Sequence, residues 1–372
     1  MNFFPLILAA VPLGVPPEPP AAPDPKVTEL VRQLGHKSFQ VREAAARELE
    51  KRGGDAAVAL AAGTKDGDPE VAERCRNLLP SAAAVVRKTN LVLLVKNPGS
   101  PPPKGLAGLG RFLAITGDDK AARQLYAEMM TARPDVIEAM EKDPKTGNRL
   151  MGDFFTEAAE RSKKADGLAA SADAILTNHG EAALFLFVRS DARFVDDPDE
   201  HGNVAHSIVA ATKLRGALAA GPQAVPGIKK LFLHWLNVEP HMYVASFAFS
   251  IAESENVKEA LPTALKIITD RKNPSGYRAD LMIGYVAKFG GKENLKDLAP
   301  FLTDTESLGS SQTNSEPELF TQFRDIALGV SIQVAGEKLA DFGLTDHYGF
   351  PDDAARDTAF AKWKAWTEKN LC

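Results

Sequence analysis

The densest group of side chains that could do chemistry is the acidic segment at residues 196–203, Asp-Asp-Pro-Asp-Glu-His-Gly-Asn. Counted from Asp197, positions 1, 3, 5 and 6 are Asp, Asp, His and Gly, as at the start of a calcium-binding loop. Position 12, where that loop needs a bidentate glutamate, is Ile208, and histidine is a poor calcium ligand. We therefore interpret the segment as an exposed turn with a helix cap and predict no metal site in it.

The histidines do not have the spacing of a transition-metal site. His201 and His206 are five residues apart, which misses the i, i+4 spacing that places two ligands on one helical face. His234 and His241 fall on different predicted helices. We expect these histidines to cap helices or lie at helix interfaces, and we predict no bound metal.

The chain has only two cysteines, Cys75 and Cys372. Two thiols cannot build a disulfide framework or a zinc site made of cysteine ligands. Cys75 is in helical register with Val71 and Leu78, so we expect it to be a small core residue. A bond between the two cysteines in an oxidising compartment is the alternative.

Motifs for nucleophilic or phosphate chemistry are missing from the sequence. It has no Gly-x-Ser-x-Gly element and no Gly-x-x-x-x-Gly-Lys-Ser/Thr loop. The glycines of residues 105–110 are in the wrong order for a dinucleotide fingerprint, and no predicted strand precedes them. We predict no catalytic, cofactor-binding or metal-binding residues, and we expect the protein not to be an enzyme.

The charge balance also bears on partners. The formal net charge is −5 and the sequence pI is about 5.9, whereas nucleic-acid binding needs a basic surface. Short basic pairs lie near acidic residues and are typical of solvated helix faces or loops. These pairs are Lys163-Lys164, Lys229-Lys230 and Arg271-Lys272. We predict no nucleic-acid partner.

The N-terminus begins with an apolar run, residues 3–15 (FFPLILAAVPLGV), about as long as the core of a signal peptide. A membrane span takes about 20 residues, so the run is too short, and no other stretch has that composition. No Lys or Arg precedes the run, and Pro5 and Pro12 interrupt it, which keeps a cytoplasmic protein with an apolar tail as the alternative. We expect a periplasmic or extracellular protein with a stiff linker at residues 16–25.

From residue 26 the sequence predicts short amphipathic helices separated by turns. Val27, Leu30, Val31 and Leu34 form an i, i+3, i+4, i+7 stripe that predicts the first helix. The second is predicted from about residue 38 to the glycines at 53–54, the third over about residues 55–62, and the fourth from Asp68. Helices this short cannot bury an apolar face alone, so the pattern predicts stacked helical pairs.

Two of these helices begin with related sequence. Residues 41–45 (VREAA) contain Val41 followed by Arg42, and Val71 stands 30 residues after Val41 without the following arginine. This element resembles the second helix of short HEAT repeats, which opens with a polar turn, then Val-Arg, then small residues. The resemblance implies an α-solenoid, an all-α superhelix of helical hairpins.

The pattern returns in the C-terminal third, with predicted first helices starting at Val225, Val257 and Leu295, 32 and 38 residues apart. The predicted pairs are residues 225–235 with 240–253, 257–269 with 276–289, and 295–302 with 319–335. Segments 278–280 (RAD) and 324–327 (RDIA) echo the Val-Arg-Glu-Ala element. With the ending at residues 348–350 (YGF) and 362–366 (KWKAW), the layout resembles exported bacterial HEAT-repeat proteins.

The regular pattern has a break in the middle of the chain. Residues 106–115 and 118–132 predict one helix pair, and residues 97–104 (NPGSPPPK) predict a loop. We divide the chain into an apolar segment and linker at residues 1–25, N-terminal repeats at 26–80, an irregular helical region at 81–224, and C-terminal repeats with a capping helix at 225–372.

Aromatic residues recur on the last predicted helix at Phe360, Trp363 and Trp366. Spacings of three place them near one face, where they could form an exposed binding platform. We favour a capping helix that docks this face on the last repeat, because a solenoid must cover its exposed end.

The resemblance implies a function more weakly than a fold. A solenoid presents a long concave face, so we expect a non-catalytic scaffold that binds another protein. The alternative is an enzyme or enzyme helper, such as a bilin-lyase-like protein, which would need a pocket with convergent titratable groups. The acidic segment at residues 303–318 predicts a long surface loop at the rim of the groove, or else a solvated loop without a role.

Overall fold

A computed structural model describes residues 24–195, 198–239, 241–308, 321–344 and 348–371. These residues are mainly helical and contain no β-strand, with a single antiparallel bridge between Ser307 and Gln322. The predicted all-α class is therefore confirmed. The apolar N-terminal run lies outside the described residues, so export stays a prediction.

The described residues form two compact units, residues 24–93 with 103–105, and residues 94–102 with 106–371. The helices of the first unit are α1 Pro25–Gln33, α2 Phe39–Arg52, α3 Ala57–Gly63 and α4 Pro69–Lys96, whose last three residues belong to the second unit. Helix α4 runs through Pro80 without ending, so the boundary that we predicted at residue 80 falls inside it.

The local sequence explains where the first helices begin. The side chain of Asp24 accepts a hydrogen bond from the backbone N–H of Lys26 at 2.9 Å, and Pro25 occupies the first helical position. The predicted stripe of α1 lies in the core of the first unit, together with Leu49, Leu60 and the fully buried Cys75. An added Cβ on Gly63 would lie 2.5 Å from Cys75 Sγ, so a larger residue there would disrupt this packing.

Helices α2 and α4 are joined by two ion pairs that run in opposite directions. Arg42 Nε lies 3.3 Å from Glu70 Oε1, and Arg74 Nη1 lies 2.9 Å from Glu43 Oε1. Arg42 also donates to the carbonyl oxygen of His36, at 2.9 Å. Arg42 therefore links the turn before α2 to helix α4.

The second unit contains the remaining helices. They are α5 Leu109–Thr116, α6 Lys120–Ala132, α7 Pro134–Lys142, α8 Pro144–Lys163, α9 Leu168–Ala174, α10 His179–Arg189, α11 Pro198–Val209, α12 Thr212–Leu218, α13 Pro226–Val238, α14 Met242–Ser254, α15 Leu261–Thr269, α16 Ser275–Leu281, α17 Ala287–Phe289, α18 Leu295–Leu298, α19 Phe323–Val334, α20 Leu339–Phe342 and α21 Asp353–Asn370. A π-helical segment, Met282–Val286, joins α16 to α17.

Helix α10 lies at the centre of the irregular middle region. Every residue from Gly180 to Arg189 is buried, and the helix contacts α6, α7, α12 and α13. Its first turn is fixed by Asn178, whose side chain accepts a hydrogen bond from the backbone N–H of Glu181 at 3.0 Å. A helix that is apolar on nearly all sides must be covered on all sides, as the sequence EAALFLFV requires.

From α11 onward, four helices contact one another in chain order. Helix α14 contacts α11 on one side and α16 with the π segment on the other, and α19 contacts the π segment and then α21. We call α11, α14, α16 with the π segment, and α19 the inner row. Between them in sequence lie α12, α13, α15 and α18, of which α12 contacts α11, α15 contacts α16, and α18 contacts α19.

The inner row ends on helix α21. Arg356 of α21 makes a bidentate pair with Asp325 of α19, at 3.0 and 2.9 Å, and both side chains are buried. Trp363 is buried against Phe342, and Trp366 stacks on Trp363 with ring centroids 4.8 Å apart. Trp363 therefore packs inward, while Phe360 and Trp366 are half-buried, and the role of α21 as a capping helix stays a prediction.

Candidate functional site

The candidate functional site is the solvent-facing side of α14 between its two neighbours in the inner row. We call it the α14 face and divide it into two parts. The aromatic shelf consists of His206 of α11 with Tyr243 and Phe247 of α14. The polar groove is lined by Ser246, Phe249, Ser250 and Glu253 of α14, with Asp280, Leu281, Gly284 and Tyr285 on the α16–π side.

The sequence of α14 produces this face by its periodicity. Val244, Ala248 and Ile251, with Ala245, Phe249 and Ala252, are its buried residues. Tyr243, Ser246, Phe247 and Ser250 follow at i, i+3, i+4 and i+7 on the other side of the helix. Polar and aromatic side chains therefore share the exposed stripe.

The aromatic shelf is a stack of three rings. The His206 ring lies 5.4 Å from the Tyr243 ring with an interplanar angle of 17°, and 3.5 Å from the Phe247 ring with an angle of 33°. Burial lowers the pKa of His206, because the charged imidazolium loses hydration there. The neutral imidazole is the form that this environment favours, so the shelf presents a mainly apolar surface at neutral pH.

The shelf has an exposed apolar margin. Tyr243 is 54% exposed, and Met242 and Val238, at adjacent helix ends, are 44% and 45% exposed. Aromatic and methionine side chains that lie together in water are typical of interaction surfaces, where Tyr and Met are enriched.

The polar groove lies on the other side of the exposed stripe and has a volume of about 120 Å³. Glu253 Oε1 lies 3.6 Å from Lys288 Nζ, so this carboxylate has a partner. Asp280, which is exposed at this groove, has no ion pair or hydrogen bond to any described residue, and its partial desolvation raises the pKa of its carboxyl group. The groove thus contains one carboxylate whose charge the described part of the chain leaves uncompensated.

The π-helical segment shapes the far wall of the groove. An α-helix widens by one residue over Met282–Val286, and such widenings often occur at functional sites. The hydroxyl of Tyr285 donates to the carbonyl oxygen of Val257, and this hydrogen bond anchors the π-helical segment to the residues before α15. Gly284 lies opposite Glu253, and a Cβ added there would be 3.3 Å from the Glu253 carboxylate.

Two larger clefts open on the same unit. One of about 750 Å³ is lined mainly by polar residues, among them Glu128, His179, Lys213 and Gln223. The other, of about 600 Å³, lies between α5 and α13 and is lined by Arg111, Ala114, Ile115, Lys230, Leu233 and His234. Neither cleft contains a serine or cysteine among its described lining residues, and the larger one brings Glu128, His179 and Lys213 together.

The histidines considered from sequence occupy separate places. His206 belongs to the aromatic shelf, His234 lines the cleft between α5 and α13, and the His241 backbone N–H donates to Glu239 at 3.0 Å. The side chain of His201, with much of the segment at 196–203, lies outside the described residues. Across the described part of the chain, no group of three or more His, Cys, Asp or Glu residues could hold a metal ion.

Sequence reasoning missed most of the α14 face. We rejected His206 as a metal ligand beside His201 and expected it to be a helix cap or interface residue, and it does lie between α11 and α14. Tyr243, Phe247 and Asp280 were not predicted to be functional. The signal was present in α14, since Tyr243 and Phe247 stand at i, i+4 opposite the apolar face. Most of the loop at residues 303–318 lies outside the described residues, so its role stays a prediction.

Comparisons with known proteins do not assign a family. No family model matches the chain, and no curated protein matches it. Among the described helices, α4 is long and apolar enough to cross a membrane, with 17% of its most apolar window buried. From the sequence we expected no second stretch of that composition, and α4 meets the criteria by length and composition only.

Proposed function

We propose that this protein is a non-catalytic scaffold, built as a HEAT-like α-solenoid, that binds another protein on the α14 face. The observation that supports the proposal most is the aromatic shelf, whose Tyr243 and neighbouring Met242 are exposed although they adjoin a well-packed row of helices. Exposed aromatic anchors of this kind provide much of the binding energy in protein interfaces.

The solenoid arrangement is supported by the order of helix contacts. Inner-row helices α11, α14, α16 and α19 contact one another in chain order, and α15 and α18, which lie between them in sequence, contact α16 and α19. Stacked hairpins produce this order, because each repeat contacts only its neighbours. The all-round burial of α10 departs from it, so the proposed solenoid applies to the part of the chain after residue 197.

The partner would contact both an apolar part and an acidic part of the α14 face. An apolar or aromatic side chain fits the shelf, while the uncompensated Asp280 beside it favours a basic group. We therefore propose a partner segment with an apolar residue followed closely by Lys or Arg.

Affinity capture with matched variants tests this proposal. Wild-type protein, Tyr243→Ala and Leu168→Ala are immobilised and exposed to an extract of the native host, and retained proteins are identified by mass spectrometry. Leu168 is a suitable control because it is 93% exposed on α9, outside the α14 face. We expect a partner that wild type and Leu168→Ala retain equally and that Tyr243→Ala retains about tenfold less. The same proteins on all three surfaces would contradict the proposal.

The enzyme alternative is favoured by one observation, the cleft of about 750 Å³ that collects Glu128, His179 and Lys213. A pocket with several titratable groups is the usual starting point for an active site. The variants Glu128→Gln and Lys213→Met separate the two functions. The scaffold proposal expects both to retain the partner fully, whereas a cleft-dependent enzyme or enzyme helper would lose its activity in them.

We also propose that the protein is exported. The apolar run at residues 3–15 supports this, since its length is that of a signal-peptide core. Mass spectrometry of the native protein should find an N-terminus between about residues 11 and 25. A soluble cytoplasmic protein that retains residues 3–8 would contradict export.

A further inference from the structure

The cleft between α5 and α13 combines positive charge with an aliphatic wall, and we name it the cationic cleft. Arg111, Lys230 and His234 supply its polar groups, and Ala114, Ile115 and Leu233 supply the apolar ones. No acidic residue is among its described lining residues. Its place on α5 and α13 is separate from the α14 face, so a ligand in the cleft would be independent of the partner proposed for that face.

Arg111 is held rigidly at one side of the cleft. Its Nη1 donates to the Phe187 carbonyl oxygen at 3.0 Å, its Nη2 lies 2.9 Å from Asp191 Oδ2, and its guanidinium stacks 3.6 Å from the Phe187 ring centroid. The Nε–H is buried without an acceptor among the described residues. Because this Nε–H is enclosed by protein, a ligand in the cleft would be bound through the remaining N–H groups of Nη1 and Nη2.

Asp191 does not cancel the charge of Arg111 by itself. The same carboxylate also pairs with Arg193 at 2.7 Å, and Arg193 in turn pairs with Glu141 at 3.1 Å. Two arginines and two carboxylates therefore balance behind the cleft, and the charge of Lys230 is left over. The cleft has a net positive charge even when His234 is neutral.

Lys230 and His234 stand one helical turn apart on α13, at i, i+4. Lys230 Nζ donates to the Thr116 carbonyl oxygen at 2.6 Å, which fixes the ammonium and leaves two of its three N–H groups for a ligand. Burial, together with the positive charge of Arg111, lowers the pKa of His234. A bound anion would offset the effect of the Arg111 charge on the pKa of His234.

We propose that the cationic cleft binds a carboxylate attached to an aliphatic group. The carboxylate lies between Arg111 and Lys230, and the aliphatic group packs on Ile115 and Leu233. The cleft volume of about 600 Å³ accommodates a chain of several carbons or the last residues of a peptide. A free organic acid and the C-terminus of a polypeptide share this chemistry, and the test distinguishes them.

The test uses octanoate as the probe, with calorimetry on the full chain and octyltrimethylammonium as the probe of opposite charge. Lys230→Met removes the cleft ammonium while keeping an apolar stem. Lys229→Met is the matched control, because Lys229 pairs with Glu259 and does not line the cleft. We expect octanoate to bind wild type and Lys229→Met equally, within about twofold, and Lys230→Met about tenfold more weakly.

A second readout reports the position of the carboxylate. Saturation with octanoate should raise the pKa of His234, measured by NMR of its ring protons, because a carboxylate near Arg111 offsets the repulsion from that charge. The inference is overturned if octanoate shows no saturable binding or if both lysine variants bind alike. It is also overturned if octyltrimethylammonium binds as well as octanoate, or if His234 does not respond.

The source of the carboxylate is decided by a tetrapeptide that ends in leucine, used with a free and with an amidated C-terminus. Tighter binding of the free peptide than of octanoate indicates a polypeptide end. Tighter binding of octanoate indicates a free organic acid. Equal binding of the free and amidated peptides with no octanoate binding would exclude the carboxylate and overturn the inference.

Discussion

Helix α10 and helix α14 belong to the same unit and differ sharply in what covers them. Helix α10 is buried from Gly180 to Arg189, while α14 buries one side and leaves Tyr243, Ser250 and their neighbours in water. Both helices are apolar on average in sequence. The two helices differ because α14 has a stripe of polar and aromatic residues on one side, whereas α10 has no such stripe between Gly180 and Arg189.

Substitutions in the two helices should therefore have different effects on stability and on binding. The end of α10 is fixed by a buried ion pair, in which Arg189 contacts Glu239 at 3.0 Å and Trp235 Nε1 donates to the same carboxylate at 2.6 Å. On α14, by contrast, Ser250 is exposed, and Glu253 forms its ion pair with Lys288 at the surface. Changes in α10 should cost stability, and changes on the α14 face should cost binding.

The largest effect is expected from Arg189→Met, which leaves Glu239 buried without its charged partner. Breaking such a pair costs about 3–5 kcal/mol in the free energy of unfolding, measured by urea denaturation. The control is Arg149→Met on α8, whose pair with Asp153 is exposed and whose loss should cost under about 0.5 kcal/mol. Equal losses in the two variants would show that burial does not set the value of these pairs.

The next effect concerns the approach of α10 to α6. A Cβ on Gly180 would lie 2.5 Å from the Glu128 carbonyl oxygen, so Gly180→Ala forces the two helices apart. We expect a loss of about 1–3 kcal/mol by the same measurement. In Gly276→Ala, by contrast, the new Cβ meets no atom within 4 Å, and helix propensity should make the change neutral or slightly stabilising. A stable Gly180→Ala protein would contradict the close crossing.

Much of the helical framework follows from the sequence, because periodicity and caps are local. The stripe of α1, the burial of Cys75 and the inward-facing Trp363 were all expected from spacing within one helix. Helix α13 was predicted over residues 225–235 and is observed at Pro226–Val238. The residue that follows it, Glu239, contacts Arg189, 50 positions away in the sequence.

The functional surfaces could not be predicted in the same way. The aromatic shelf needs α11 beside α14, and the cationic cleft needs Arg111 beside Lys230, more than a hundred residues later. Both are produced by packing between distant helices, for which a single sequence has no direct signal. The fourth helix was predicted to start at about Asp68, but its continuation through Pro80 was missed, because proline usually ends a helix.

A smaller effect is expected from Tyr243→Ala on the α14 face. The side chain is half-exposed and packs mainly on His206, so its removal should cost about 0.5–1 kcal/mol in the free energy of unfolding. Phe185 of α10 is the matched aromatic control, and its removal should cost about 3–5 kcal/mol because it is fully buried against Trp235. If Tyr243→Ala were as destabilising as Phe185→Ala, the α14 face would be part of the core and the comparison would fail.

The smallest effect is a pH-dependent one at Asp280. Partial desolvation raises the pKa of this carboxyl in the folded state, so the folded state holds its proton more tightly than the unfolded chain. The resulting penalty is absent below the ordinary Asp pKa of 3.8, and it develops as the pH rises through the folded value. Asp280→Asn cannot ionise and avoids the penalty.

The melting temperature of Asp280→Asn relative to wild type should therefore increase between about pH 3 and pH 7. Thermal unfolding followed by circular dichroism measures this difference, and a difference that stays constant with pH would contradict the raised pKa. An ionised Asp280 that lowers stability at neutral pH fits a surface where charge is kept for a partner. At the end of α10, by contrast, the carboxylate of Glu239 is already paired within the chain.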